Sequence, residues 1–300
     1  MAQAADTLWV AGVSEAAGWY DANKTISNQE DDNLCFAAAA SNLVAWWQAQ
    51  MPATPNGVPQ SHEAVWARYQ AGSNTDAPGD VGAAVQWWLT GVYVPTNDEQ
   101  YQRSSYGKAT SSQFDTFDGY YYDDYLFSLA DAYASQFSNY DVALRTGYTN
   151  EFRDFMYFRA HSSNLTDNIL YALQNGMALS VGLMADSNNL SHAITLWGVD
   201  YSETEGITRL WLTDSDDAQY GYNEDNGLFS VGVSMRNDKL YFDEDDNDWY
   251  AKVDAQGVYV QHIYALNPAA ASDWGLSVPE PATATLSLLS LMGLAARRRR

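Results

Sequence analysis

The sequence predicts an α+β fold, and two contrasts along the chain carry that expectation. The first half holds Ala-rich and aromatic stretches at helical spacing, led by residues 33–50. The second half holds short β-branched or alternating runs separated by Gly, Asn and Asp turns. The chain is 46% hydrophobic and 14% aromatic, with 11 Trp and 21 Tyr, which is enough apolar material for a substantial core.

Taken in order, NLCFAAAASNLVAWWQAQ (33–50) reads as a helix, with Asp31, Asp32 and Asn33 as N-cap candidates and Met51-Pro52 as its stop. Cys35 then falls in the first turn. Residues 53–80 read mostly as loop, with a helical piece at 63–70. Segments 81–91, 124–138, 149–159 and 165–175 read as helices, the last closed by Asn175-Gly176, and 96–123 is polar, aromatic and irregular. Strands are expected at 178–185, 193–201, 208–213, 228–234 and 258–266.

Charge excludes some functions. Against 15 basic residues stand 38 acidic ones, for a net charge of −23. Such a surface repels phosphate, so no nucleic-acid partner is expected. The single cysteine rules out an intramolecular disulfide. It is either a small buried hydrophobe or a thiol in use.

Both ends read as sorting signals. Met1-Ala2-Gln3-Ala4-Ala5 has the small residues found around a signal-peptidase site, so a leader is expected to have been removed, with Met1 supplied for expression. At the other end, Val278-Pro279-Glu280-Pro281 is followed by apolar or small residues 282–296 and then Arg297 to Arg300. That run is shorter than the roughly 20 residues of a membrane span. Its order resembles the PEP-CTERM signal of Gram-negative bacteria, which implies a membrane exosortase as processing partner and a secreted or cell-surface location. A plain tail anchor is the alternative. The expected division is an N-terminal segment 1–17, a body 18–268, a linker 269–277 and the tail 278–300.

A thiol nucleophile needs an imidazole, a group to orient it, and donors for an oxyanion. A helix N-terminus favours the Cys35 thiolate and offers backbone N–H groups. Among the four histidines, His62 lies in a loop-like stretch with no acidic partner suggested. His161 sits at an expected helix end, where it would cap, and His262 lies inside the last strand. His192 opens a strand after the turn 186–191. Pattern alone prefers His192 without deciding it. If the next strand is its neighbour, Asp214 reaches the ring. The cluster Asp214-Ser-Asp216-Asp217 could equally be a solvated turn. It lacks the glycine and closing glutamate of an EF-hand loop, and neither it nor 243–248 is expected to hold calcium.

Three stretches resemble the streptococcal IgG-degrading (Mac-type) cysteine endopeptidases, a papain-like family. They are Gly18-Trp-Tyr-Asp-Ala-Asn-Lys-Thr25 with Leu34-Cys35 and Trp46-Trp47, then Ser191-His-Ala-Ile-Thr-Leu-Trp-Gly-Val-Asp200, then Leu212-Thr-Asp-Ser-Asp216. They occur in the family's order over about residues 18–234, most faintly over 52–160. The resemblance implies a papain-like fold in which the nucleophile-bearing helix packs on a C-terminal antiparallel sheet. It implies Cys35 as nucleophile, His192 as general base, Asp214 as its orienting group and Asp216 as a second carboxylate. Lys24 takes the oxyanion-stabilising place, the alternative being a surface lysine. No cofactor or metal is implied.

The chain departs from the family at Phe36, where a glycine is expected, and by one residue between Lys24 and Cys35. Phe36 is expected to narrow the cleft or alter the helix start. The substrate is a protein, and an immunoglobulin does not follow. The competing functions are another Cys–His acyl transferase or amidase, and a catalytically silent surface-binding module whose Trp and Tyr contact protein or carbohydrate.

Overall fold

The computed structural model describes residues 6–24, 31, 33–50, 54, 56–74, 79–90, 114–115, 117, 119–120, 157–161, 165–187, 191–216, 227–243 and 257–266. The helix expected over 124–138, most of that over 149–159, the linker 269–277 and the tail 278–300 lie outside them.

Four helices and eight strands are described: β1 Asp6–Trp9, α1 Cys35–Ala49, α2 His62–Gly72, α3 Val81–Thr90, β2 Tyr157–His161, α4 Leu165–Gln174, β3 Ala178–Ala185, β4 Ser191–Ser202, β5 Gly206–Thr213, β6 Phe229–Arg236, β7 Lys239–Phe242 and β8 Val258–Leu266. Helices stand against one large antiparallel sheet, so the α+β expectation holds. Six of the strands, in the order β4-β3-β8-β7-β6-β5, close into a ring because β5 also pairs with β4. β1 continues the edge of β4 beyond β3, and β2 lies on β8 beyond β7.

Helix α1 explains how the layers meet. Residues Phe36 to Gln48 are all buried, because the helix packs on α2 and α3 as well as on β4 and β3. A helix apolar on every side is stable only in such a position, and its alanines allow close approach. Its Gln48 amide donates to the Pro59 carbonyl at 2.7 Å and accepts from Trp88 Nε1 at 2.9 Å. Trp46 Nε1 donates to the Ala11 carbonyl at 2.8 Å.

Local signals set the helix ends. Ser61 Oγ accepts from the Ala64 N–H at 3.2 Å to start α2, and Asp80 Oδ1 accepts from the Ala83 N–H at 3.1 Å to start α3. At the end of α4, Gly176 has φ 70°, with Met177 N–H on the Ala172 carbonyl at 2.9 Å and Gly176 N–H on the Leu173 carbonyl at 3.0 Å. This is the Schellman arrangement expected from Asn175-Gly176.

Three expectations are corrected. The N-cap of α1 is Leu34, and no side chain caps the helix; Asp31 instead lends its carbonyl to Leu34 N–H at 2.9 Å. Residues 157–159, expected to be helical, belong to β2, whose pairing with β8 overrides local propensity. Strand β7 was not foreseen. It follows a two-residue turn in which Asn237 and Asp238 have φ 52° and 62°, a hairpin connection that suits this residue pair. β1 lies in the segment expected to precede the body, yet Val10 N–H continues its pairing onto the Trp197 carbonyl at 2.8 Å.

β1 is seated by glycine. A Cβ at Gly198 would lie 2.7 Å from Trp9 Cε3 and 3.0 Å from the Leu8 carbonyl oxygen. Gly198→Ala is therefore expected to cost about 1–3 kcal/mol in urea unfolding and to speed amide exchange in Asp6–Trp9. An unchanged midpoint with unchanged exchange contradicts this packing.

Candidate active site

The site forms where the start of α1 meets the start of β4 and the end of β5. Cys35 is the first residue of α1. His192 is the second residue of β4 and 8% exposed. Thr195 pairs with Thr213, which sets Asp214 one step beyond the end of β5 and beside the ring.

His192 Nε2–H donates to Asp214 Oδ1 at 2.7 Å. The Cys35 thiol is hydrogen-bonded to the same imidazole. The imidazole thus stands between thiol and carboxylate. Asp214 Oδ1 also accepts the Asp216 N–H at 3.0 Å, which fixes the carboxylate by a turn of its own backbone.

Lys24 is buried, 5% exposed, which removes the surface-lysine alternative. Its backbone N–H donates to the Ser215 carbonyl at 2.9 Å. Its ammonium lies 2.6 Å from Asp216 Oδ1, while Asp216 Oδ2 is 3.9 Å from His192 Nε2. All five residues singled out from the sequence therefore come together.

The charges are mutually supporting. Burial alone would push the Cys35 thiol up, but the His192 imidazole, the Ala193 backbone N–H and Lys24 together bring it below the ordinary value of 9.0. Burial disfavours imidazolium at His192, and the Asp214 carboxylate and Cys35 overcome it, holding the ring well above 6.5. Burial likewise opposes the charged Lys24, and Asp216 outweighs it. Each partner thus favours the charged form of the other, thiolate at Cys35 and imidazolium at His192.

His192, Asp214 and Asp216 each offer one atom within 4.8 Å of the others, a spacing that could hold a metal ion. The donor set does not suit one. The Lys24 ammonium already neutralises Asp216, and His192 Nε2 is committed to Asp214 as a donor, so a cation would have to displace both.

The remaining histidines lie elsewhere. His62 begins α2, and its Nε2 meets Asn42 Oδ1 at 2.8 Å; burial lowers its pKa. His161 ends β2 rather than a helix and pairs in register with His262 of β8, whose ring covers Gly182. Phe36 is 2% exposed, its ring standing edge-on to Phe114 at 5.9 Å and lying against Gly79.

Sequence reasoning missed the residues that hold these groups in place. Asn42 Oδ1 accepts the Ala22 N–H at 2.9 Å, and its Nδ2 donates to Thr195 Oγ1 at 2.9 Å. Thr213 Oγ1 donates to the Tyr20 carbonyl at 3.1 Å and accepts from Trp197 Nε1 at 3.0 Å. The signal was an amide seven residues after Cys35 in a mostly apolar helix.

Asp214→Asn removes the charge that favours imidazolium. Alkylation of Cys35 by iodoacetamide near pH 6 should then fall about ten-fold or more, with a pH profile displaced upward. An unaltered profile contradicts the arrangement. The sign for stability follows from the two shifts. The raised His192 contributes below its ordinary value of 6.5 and loses that contribution as pH rises through its folded value. The lowered Cys35 contributes above 9.0 and loses it as pH falls through its folded value.

Two comparisons with known proteins bear on this geometry. The Mac-1 family model (Mac 1) matches residues 5–62, the part that holds Lys24, Cys35 and Asn42. A protein named IgM protease, from Streptococcus suis (strain P1/7), is 26% identical over 238 residues, 72% of this chain. The aligned stretch spans 19% of that relative's own length. Both matches support the Mac-type resemblance.

Proposed function

We propose that the protein is a papain-like cysteine endopeptidase acting on a protein outside the cell. One observation carries this reading: a buried imidazole hydrogen-bonded on one side to Cys35 and on the other to Asp214. A core cysteine would need neither partner, and a binding module would need none of the set.

In the proposed reaction the Cys35 thiolate attacks the scissile carbonyl carbon. The oxyanion of the tetrahedral intermediate is stabilised by the Lys24 ammonium and the Cys35 N–H. Collapse breaks the C–N bond as the His192 imidazolium protonates the departing amine, leaving a Cys35 thioester. His192, now neutral, takes a proton from water. The resulting attack forms a second oxyanion, whose collapse returns the Cys35 thiolate and releases the acid. Asp214 keeps the ring in the productive tautomer throughout, and Asp216 holds Lys24 in reach.

The peptidase unit expected over residues 18–268 is proposed to take in β1 as well, since that strand pairs with β4; a linker 269–277 and the PEP-CTERM-like tail 278–300, presented to an exosortase, follow it. Among the described residues no helix is long and apolar enough to cross a membrane. An immunoglobulin-like substrate is suggested by the name of the relative, but the short coverage of that relative leaves the substrate class at protein.

Cys35→Ala should abolish both labelling by an epoxide thiol probe and cleavage of a proteome-derived peptide mixture, and His192→Ala should lower cleavage by at least about 10³-fold. Cleavage that survives Cys35→Ala sinks the proposal. A protein that labels but cuts no peptide bond points instead to another acyl-transfer reaction.

A further inference from the structure

Cys35, His192 and Lys24 come from three structural elements: α1, β4 and the segment 20–24. One side chain of α1 is hydrogen-bonded to both of the other two. Asn42 lies seven residues beyond Cys35, two turns along and on the same face of α1. It is 3% exposed. Its Oδ1 accepts the Ala22 N–H at 2.9 Å, two residues before Lys24, and its Nδ2 donates to Thr195 Oγ1 at 2.9 Å, three residues after His192.

The directions of these bonds are fixed. A backbone N–H can only donate, so the atom facing Ala22 must be the amide oxygen, and the nitrogen must face Thr195. His62 Nε2, also on Oδ1 at 2.8 Å, must then carry its proton. Three hydrogen bonds hold the amide in one orientation.

We infer that Asn42 is the positioning residue of the site, holding the Cys35 helix, the His192 strand and the Lys24 segment at their working separations. The inference rests on the peptidase reading for its purpose but not for its test. Without the amide, α1 stays buried by its apolar residues, while its register against β4 and segment 20–24 is set by packing alone. The thiol should then lose part of its contact with His192 and Lys24 while the fold persists.

The test uses the full chain and iodoacetamide as probe. Rates of Cys35 alkylation are measured from acid to alkaline pH for the wild type, Asn42→Ala, Thr195→Val and, as a destabilised control remote from the network, Ile169→Ala in α4. Asn42→Ala is expected to alkylate about ten-fold more slowly at pH 6–7, with its profile moved toward that of an ordinary thiol. Thr195→Val, which removes one arm, should move the same way by less. Ile169→Ala should lose thermal stability and keep the wild-type profile. A folded Asn42→Ala protein with the wild-type profile overturns the inference, as does an equal displacement in Ile169→Ala. Should Asn42→Ala not fold, an unmoved profile in Thr195→Val overturns it equally. A wild type with a low thiol profile but no cleavage of the peptide mixture counts against the peptidase reading alone.

Discussion

Because α1 is buried on every side, each polar atom it carries must find a partner inside the protein, and for Asn42 those partners lie on the elements that build the site. An unmade hydrogen bond in such a place costs about 1–3 kcal/mol, so the sequence of α1 is tightly constrained despite its plain composition. Gln48 answers to Pro59 and Trp88, and Ser41 Oγ donates to the Ala38 carbonyl at 2.8 Å within the helix. Cys35, at the one end where the helix meets the cleft, meets its imidazole partner across the junction with β4.

The same constraint governs the charges. Lys24, Asp214, Asp216 and His192 are all withdrawn from water, and isolated burial of any one would be prohibitive. Each charged form is favoured by a neighbour of opposite sign: the Lys24 ammonium by Asp216, the His192 imidazolium by Asp214, and the Cys35 thiolate by His192 and Lys24. Each charge is maintained by its neighbours, which is why the acidic excess of the whole chain does not suppress a thiolate at this position. The excess is a property of the surface, and the site carries its own compensating cations.

Much of this was legible before any coordinates. Strands β3 and β8 follow directly from their β-branched alternation, and α4 ends where Asn175-Gly176 said it would. The site residues were legible for a different reason: spacing did not choose His192 over the other histidines, and resemblance to a known family did. What was not legible depended on partners distant in sequence. β2 reads as helix in isolation and becomes a strand only because β8 offers an edge. Phe36 looked like an intrusion into the cleft because nothing in the sequence announces that Gly79 and Phe114 leave a space for its ring. Asn42 was passed over because a helix pattern weighs apolar positions and ignores the few polar side chains among them.

The closed ring of strands has a mechanical consequence. His192 and Asp214 sit on neighbouring staves of a hoop that has no seam between β4 and β5, so separating them means breaking the ring itself. Cys35 belongs to the helical layer outside that hoop. The thiol therefore meets its imidazole across the boundary between layer and hoop, where the Asn42–Thr195 bond ties the two together.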